Sequence, residues 1–348
     1  MKLTVLVVLF GLTIGVGVVY FLYPKSDQPV PSVPEIIDQI VEKPLEKYSI
    51  DRLSETPPTA STIEIGEIIS EEENFTSYVF YYYVDDKKVS GQLNVPNEES
   101  DYPVIVMFRG YAPVETYTTG VGTRRGAEYF ANNGFITIAP DFLGYGESDN
   151  PSTDIFEARF QTYTTAATLL SSVTNLDSAL KEKSINVTTQ PNKVGIWGHS
   201  NGGQVAITTL EITQGNYPTV LWAPVSKPFP YSILYYTDEA DDYGKAIRKK
   251  LADFEENYDA DKYNVTTYLE KINSPIQLHQ GTIDEEVPVI WSNELVDKLE
   301  ELEKDVEYFT YAGADHNLMP TGWNPAIARA VEFYTNHFTE TSEKLDTD

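Results

Sequence analysis

The chain contains no cysteine in 348 residues, so it can form no disulfide, no thiolate metal site and no thiol nucleophile. Histidine is scarce as well: with four residues, a histidine-rich metal centre is not expected. Positive charge is in deficit, with 25 Lys and Arg against 53 Asp and Glu and a formal net charge of −28. A surface of that sign repels phosphate, which excludes nucleic acid as an expected partner and disfavours polyanionic substrates. It serves solubility and carries no information about fold. No internal repeat is visible. The first alanine is Ala60, and although Gly15-Val16-Gly17 is small the apolar run continues past it, so an uncleaved stretch is expected, with a cleaved secretory leader as the rival reading.

That stretch is the first positive feature. Leu3 to Tyr23 carries no charge and is bounded by Lys2 and Lys25. Its length suits a bilayer-spanning helix, so residues 1–24 are expected to be an uncleaved, single-pass transmembrane anchor. The amino group and Lys2 precede the span, while Lys25 is offset by Asp27, which orients the N-terminus to the cytoplasm. The rest of the chain is then membrane-anchored and extracytoplasmic. Residues 25–61 contain Pro29, Pro31, Pro34, Pro44, Pro57 and Pro58 and are expected as an extended stalk. Residues 339–348 form an acidic tail, expected to fray.

Residues 62–338 are expected to form one α/β domain. Thr76 to Pro96 alternates and is rich in Tyr and Val, which predicts antiparallel strands. Short continuous apolar runs follow: 103–108, 136–139, 194–197, 219–222, 276–279 and 306–311. Runs of this kind suit strands buried on both faces. Helical stretches separate them, at 124–133, 166–183, 204–213, 292–302 and 325–338. Such alternation implies a mostly parallel central sheet with helices on both faces. Residues 226–272 are too long for a simple connection and are expected as a helical, lid-like insertion over the carboxyl edge of the sheet.

Gly198-His199-Ser200-Asn201-Gly202 lies between an apolar strand and an apolar helix. The bare Gly-x-Ser-x-Gly pattern is weak, but a serine on a strand-to-helix turn projects its hydroxyl from the sheet edge, where a nucleophile belongs. Its base is found by elimination among the histidines. His199 adjoins the serine and should point elsewhere, His279 lies inside an apolar strand, and His337 lies in the last helix. His316 follows the final strand, on the same edge as Ser200. The orienting acid should fall between them in the chain. Asp284, in the loop after strand 276–279, is preferred on geometry, with Glu285, Glu286 and Asp315 as rivals. Two N–H donors are needed for a developing oxyanion. Asn201 follows the nucleophile, and Tyr111 lies in the loop Arg109-Gly110-Tyr111-Ala112 after the first buried strand. Arg109, Arg124 and Arg125 are cations that could hold a substrate carboxylate or pair with surface acids.

Together these segments resemble the catalytic domain of the prolyl oligopeptidase family, within the α/β hydrolases. The motifs are Ile138-Ala139-Pro140-Asp141-Phe142-Leu143-Gly144-Tyr145-Gly146, Trp197-Gly198-His199-Ser200-Asn201-Gly202-Gly203, the segment His279 to Pro288, and Gly313-Ala314-Asp315-His316. The resemblance implies an α/β-hydrolase fold, a triad of Ser200, Asp284 and His316, and cleavage of peptides or esters without a metal or organic cofactor. Larger peptidases of that family carry a β-propeller before the hydrolase domain; here a membrane helix and stalk are expected in its place. Relatives often have His where this chain has Arg109. The expected activity is that of a membrane-anchored serine peptidase acting through an acyl-enzyme. Carboxylesterase activity, acyl transfer to an alcohol and a non-catalytic surface-binding module are the alternatives.

Overall fold

A computed structural model of the chain describes residues 43–237 and 242–345, with side chains to residue 339. The expected anchor and most of the expected stalk lie outside the described residues. Among the described residues no helix is long and apolar enough to cross a membrane.

Nine strands form one sheet: β1 (Glu64–Glu71), β2 (Phe75–Val84), β3 (Lys87–Pro96), β4 (Asp101–Phe108), β5 (Ile136–Pro140), β6 (Thr188–His199), β7 (Thr219–Trp222), β8 (Ile276–Gly281) and β9 (Val306–Tyr311). Their order is β1-β2-β3-β5-β4-β6-β7-β8-β9. The pairs from β1 to β5 across β2 and β3 are antiparallel, and every pair from β5 to β9 is parallel. The chain therefore has an α/β-hydrolase-like architecture with a mostly parallel sheet.

The helices are α1 (Ile50–Glu55), α2 (Arg124–Asn132), α3 (Ile155–Ser172), α4 (Leu176–Glu182), α5 (Asn201–Thr213), α6 (Tyr231–Leu234), α7 (Lys245–Glu255), α8 (Val289–Glu301) and α9 (Trp323–Leu345). Successive strand residues point to opposite faces, and this sorts the core into two layers. From β4, Val104, Val106 and Phe108 enter one cluster with α3, α4 and α5. Ile105 and Met107 enter the other, with α2 and α9. Both layers are apolar, so the parallel strands read as continuous apolar runs.

The expected stalk ended at residue 61, and here the structure corrects it. Residues 43–61 lie against the domain: Tyr48, Ile50 and Leu53 are buried in its core. Their apolar spacing around α1 supplies one buried face, which the prolines at 44, 57 and 58 flank rather than interrupt. The tail is also different, since α9 continues to Leu345 instead of fraying at 339.

Residues 226–272 divide in two. The later part packs on α3 and on the N-terminal segment. Phe254 and Tyr263 join Phe156, Phe160 and Phe229 in an aromatic cluster on α3. Tyr263 Oη donates to Leu45 O at 3.0 Å, and Tyr268 Oη to Asp51 at 2.8 Å, tying this part to the N-terminal segment. Near α6, Tyr236 Oη donates to Glu286 O, in the loop after β8, at 3.1 Å.

Candidate active site

Parallel strands end on a common edge, so the loops after β4, β5, β6, β8 and β9 converge there. The loop after β6 is the sharpest. Ser200 sits at φ 57°, ψ −122°, a strained conformation for a residue with a Cβ. Its N–H donates to Trp222 O at 2.9 Å, and its carbonyl accepts from Val225 N at 3.0 Å. β7 and the loop after it thus hold the turn from both sides. The turn brings α5 so close to β4 that a Cβ on Gly202 would collide with the Phe108 carbonyl, so only glycine fits there.

The loop after β8 carries Asp284, whose side chain is fully covered. Its Oδ2 accepts from His316 Nδ1 at 2.9 Å and from Gln280 Nε2 at 2.9 Å. Its Oδ1 accepts from the backbone N–H groups of Glu286 at 2.9 Å and Val287 at 2.8 Å. Burial pushes this carboxyl up, but the bonds from His316, Val287 and Gln280 outweigh it and hold the group below its ordinary value. Gln280 is itself fixed, because its Oε1 accepts from Ser292 Oγ at 2.7 Å. An ionised carboxylate can only accept, so the His316 proton is on Nδ1 and the Nε2 lone pair is free.

The three other acids considered at this position are placed elsewhere. Glu285 and Glu286 are exposed. Asp315 Oδ1 accepts from Asn317 N and Met319 N, closing its own turn.

Among the described residues no hydrogen bond joins Ser200 Oγ to His316. The two loops meet through His199. Its Nε2 lies 3.1 Å from the His316 carbonyl, which must accept, and the two imidazole rings are 4.6 Å apart between centroids. Burial and the neighbouring His316 lower the His199 pKa to about 4, so it is neutral near pH 7. The expectation that its side chain points away from the serine said nothing of this contact with the His316 loop. Its place on a strand end, alternating with the core-facing Gly198, was the available signal.

The loop after β4 passes beside the nucleophile: a Cβ on Gly110 would lie 2.9 Å from Ser200 Cβ. The Tyr111 side chain is 81% exposed, so its backbone is what it can offer the site. Asn201 opens α5, where N–H groups have no partner within the helix.

Arg109 corrects the picture of a surface-paired cation. It is buried, and its guanidinium lies 3.9 Å from the Tyr145 ring centroid and 4.7 Å from that of Tyr117. It donates to Gly110 O at 2.9 Å and Asp141 O at 2.8 Å. Asp141 in turn accepts from Ser90, Tyr117 and Thr119. Arg109 therefore ties the β4 loop to the β5 loop, a role no local pattern announces because, Gly110 apart, its partners Tyr117, Asp141 and Tyr145 are 8 to 36 residues away in the chain. Arg124 donates to Thr119 O and Arg125 stacks on Trp323, and among the described residues neither forms an ion pair with an acid. The remaining histidines are apart from the site; His279 is buried between Gln277 and Tyr311. Among the described residues no group of three His, Asp or Glu side chains is placed to hold a metal ion.

Comparison with known proteins identifies the family. A family model described as the prolyl oligopeptidase family matches residues 122–341, more than half of the chain. A Bacillus subtilis (strain 168) protein described as an uncharacterized peptidase, YtmA, is 24% identical over 280 residues, which is 79% of this chain and 99% of that one. Among solved structures, acetyl xylan esterase 1 from Thermoanaerobacterium sp. JW/SL YS485 is similar with a TM-score of 0.53 at 16% identity, over 84% of this chain and 94% of that one. A puromycin-hydrolyzing peptidase of Mycobacterium tuberculosis gives 0.51 at 16% identity, over 76% of this chain and 40% of that one. At these identities the structural likenesses are of fold.

Proposed function

The chain belongs to the prolyl oligopeptidase family and is a serine hydrolase; from that premise we propose that it is a serine peptidase in which Ser200, His316 and Asp284 are the triad. The observation that carries this reading is the 2.9 Å bond from His316 Nδ1 to a fully covered Asp284, beside a serine on a strained strand-to-helix turn.

The cycle runs as acyl transfer. Ser200 Oγ bonds to the scissile carbonyl carbon while its proton passes to His316 Nε2. The carbonyl π pair moves to oxygen, where the N–H groups of Asn201 and Tyr111 receive it. Collapse expels the amine, which takes the proton from His316 and leaves an ester on Ser200. Water then repeats both steps and frees Ser200. Asp284 keeps the imidazole in the productive tautomer throughout.

Peptidase is preferred to esterase on family membership and on the similarity to YtmA, described as an uncharacterized peptidase. The second reading is a carboxylesterase, since the same triad also cleaves the easier ester bond. The test is kcat/KM of the full chain in detergent on 4-nitrophenyl esters and on aminoacyl and Xaa-Pro 4-nitroanilides, with Ser200→Ala as control. Ser200-dependent turnover of the anilides supports the peptidase. Ester turnover alone selects the esterase.

The uncharged run Leu3 to Tyr23 supports attachment to a membrane, with this domain outside the cytoplasm. Release of the chain from membranes by alkaline carbonate, without detergent, would contradict it.

A further inference from the structure

The cavity beside the nucleophile contains a cation that the acyl-transfer cycle does not use. This cavity, of about 280 Å³, is bounded by Asn201 and Val205 of α5 and by Leu143, Tyr145 and Ile155. Arg159, on α3, is the one charged residue in its wall. The Arg159 Nη2 donates to Gln204 Oε1 at 2.5 Å, and its Nε is buried with no partner among the described residues. No carboxylate pairs with Arg159 among the described residues. The nearest acid in sequence, Glu157, is occupied by Tyr48 and Ser152. Positions three and four residues away on the helix are Ile155, Phe156, Thr162 and Tyr163, none of them acidic.

An unpaired arginine is anomalous in a chain with 53 acids and 25 bases. Holding a guanidinium against an apolar wall costs desolvation, which a carboxylate across its fork offsets. The bond to Gln204 also sets the reach. Gln204 follows Ser200 by four residues on α5, about 6 Å along the helix axis. The side of the scissile bond follows from His316. That residue must stand beside the leaving group to protonate it, and no residue of its loop lines this cavity.

We propose that Arg159 binds a carboxylate on the acyl half of the substrate. The preferred substrates are then amides or esters of acyl groups that carry a carboxylate a few bonds from the scissile carbonyl. An acidic amino-acid side chain and the half-derivative of a dicarboxylic acid share this chemistry. The proposal rests on the acyl-enzyme reading above and adds its substrate class.

The test uses the full chain in detergent and two matched pairs. N-acetyl-Glu 4-nitroanilide is compared with N-acetyl-Gln 4-nitroanilide, and mono(4-nitrophenyl) adipate with 4-nitrophenyl hexanoate. In the wild type, kcat/KM should favour the charged member by about tenfold or more in at least one pair, and the favoured pair identifies the source. In Arg159→Gln that ratio should fall towards one, through KM rather than kcat, and Arg159→Lys should restore part of it. Ser200-dependent turnover without preference for the charged member in either pair would overturn this proposal alone. So would a preference that Arg159→Gln leaves unchanged. No Ser200-dependent turnover of any of the four would overturn the acyl-transfer reading, and this proposal with it.

Discussion

The loop after β8 and the buried face of α5 each hold a carboxyl group away from water, and they treat it in opposite ways. Asp284 meets four donors, from His316, Gln280, Glu286 and Val287. Glu211 is equally covered, and neither of its oxygens has a partner among the described residues. Burial pushes the Glu211 pKa well up, Glu270 adds to the rise, and Lys271 opposes it. The donors around Asp284 reverse the effect of the same burial. Burial alone therefore does not mark an acid for chemistry. A carboxylate is kept charged in a covered place only where the fold has gathered donors for it, and one of those donors is the imidazole that must act.

Four substitutions sharpen or break that contrast. Asp284→Asn has the largest expected effect. It offers His316 Nδ1 the wrong partner, so kcat should fall by about 10⁴-fold with the circular dichroism spectrum unchanged. A loss below tenfold would mean that Asp284 does not orient the base. Gln280→Leu comes next. It removes a donor from Asp284 and strands Ser292 Oγ, and should lower kcat about tenfold while destabilising the fold by about 1–3 kcal/mol. An unchanged kcat with lowered stability would reduce Gln280 to packing.

His199→Phe keeps ring volume but loses the donor to the His316 carbonyl. We expect kcat lower by about threefold to tenfold and KM unchanged, because the backbone of the His316 loop loses one tether. Glu211→Gln should leave kcat/KM where it is. Its signature is in stability. The native state binds a proton on Glu211 that the unfolded chain releases, so stability is full below the unfolded value near pH 4.5 and declines as pH rises. The glutamine should remove that decline and raise stability by about 1 kcal/mol at pH 8, with a shrinking gain towards pH 4.5. Urea unfolding at the two pH values reads it. The buried histidines act with the opposite sign. His199 is lowered to about 4 and His279 to about 3, so they stabilise the fold above pH 6.5 and withdraw that support as pH falls below it.

Much of the architecture was legible because its signal is local. The apolar runs at 103–108 and 219–222 are strands β4 and β7, since a strand buried on both faces must be apolar throughout; the run at 306–311 is β9, an edge strand that is only partly buried. β1 was missed. Its residues are largely exposed at the sheet edge, so Glu64 to Glu71 lacks both alternation and an apolar run. The long helix α3 was placed eleven residues late, starting at 166 rather than Ile155. Its first turns carry Glu157, Arg159 and Gln161, and these polar side chains broke the apolar pattern while making contacts inside the fold. Residues 43–61 were mistaken for stalk because proline density outweighed the three apolar anchors at Tyr48, Ile50 and Leu53.

The site divides in the same way. Ser200, Asp284 and His316 could be named because each sits in a loop just past a strand, and chain order does the rest. Gln280, His199, Arg109 and Arg159 could not. Their partners are Asp284, His316, Asp141 and Gln204, and only the folded chain brings the last three pairs together. Sequence order identifies groups that react, whereas the groups that hold them are defined by tertiary contact.

The most direct test of the central claim is the intact mass of the full chain after incubation with a fluorophosphonate, beside Ser200→Ala. The account predicts one adduct per wild-type chain, mapped to Ser200 by peptide analysis, and none on the variant. An unlabelled wild type, or equal labelling of Ser200→Ala, would contradict it.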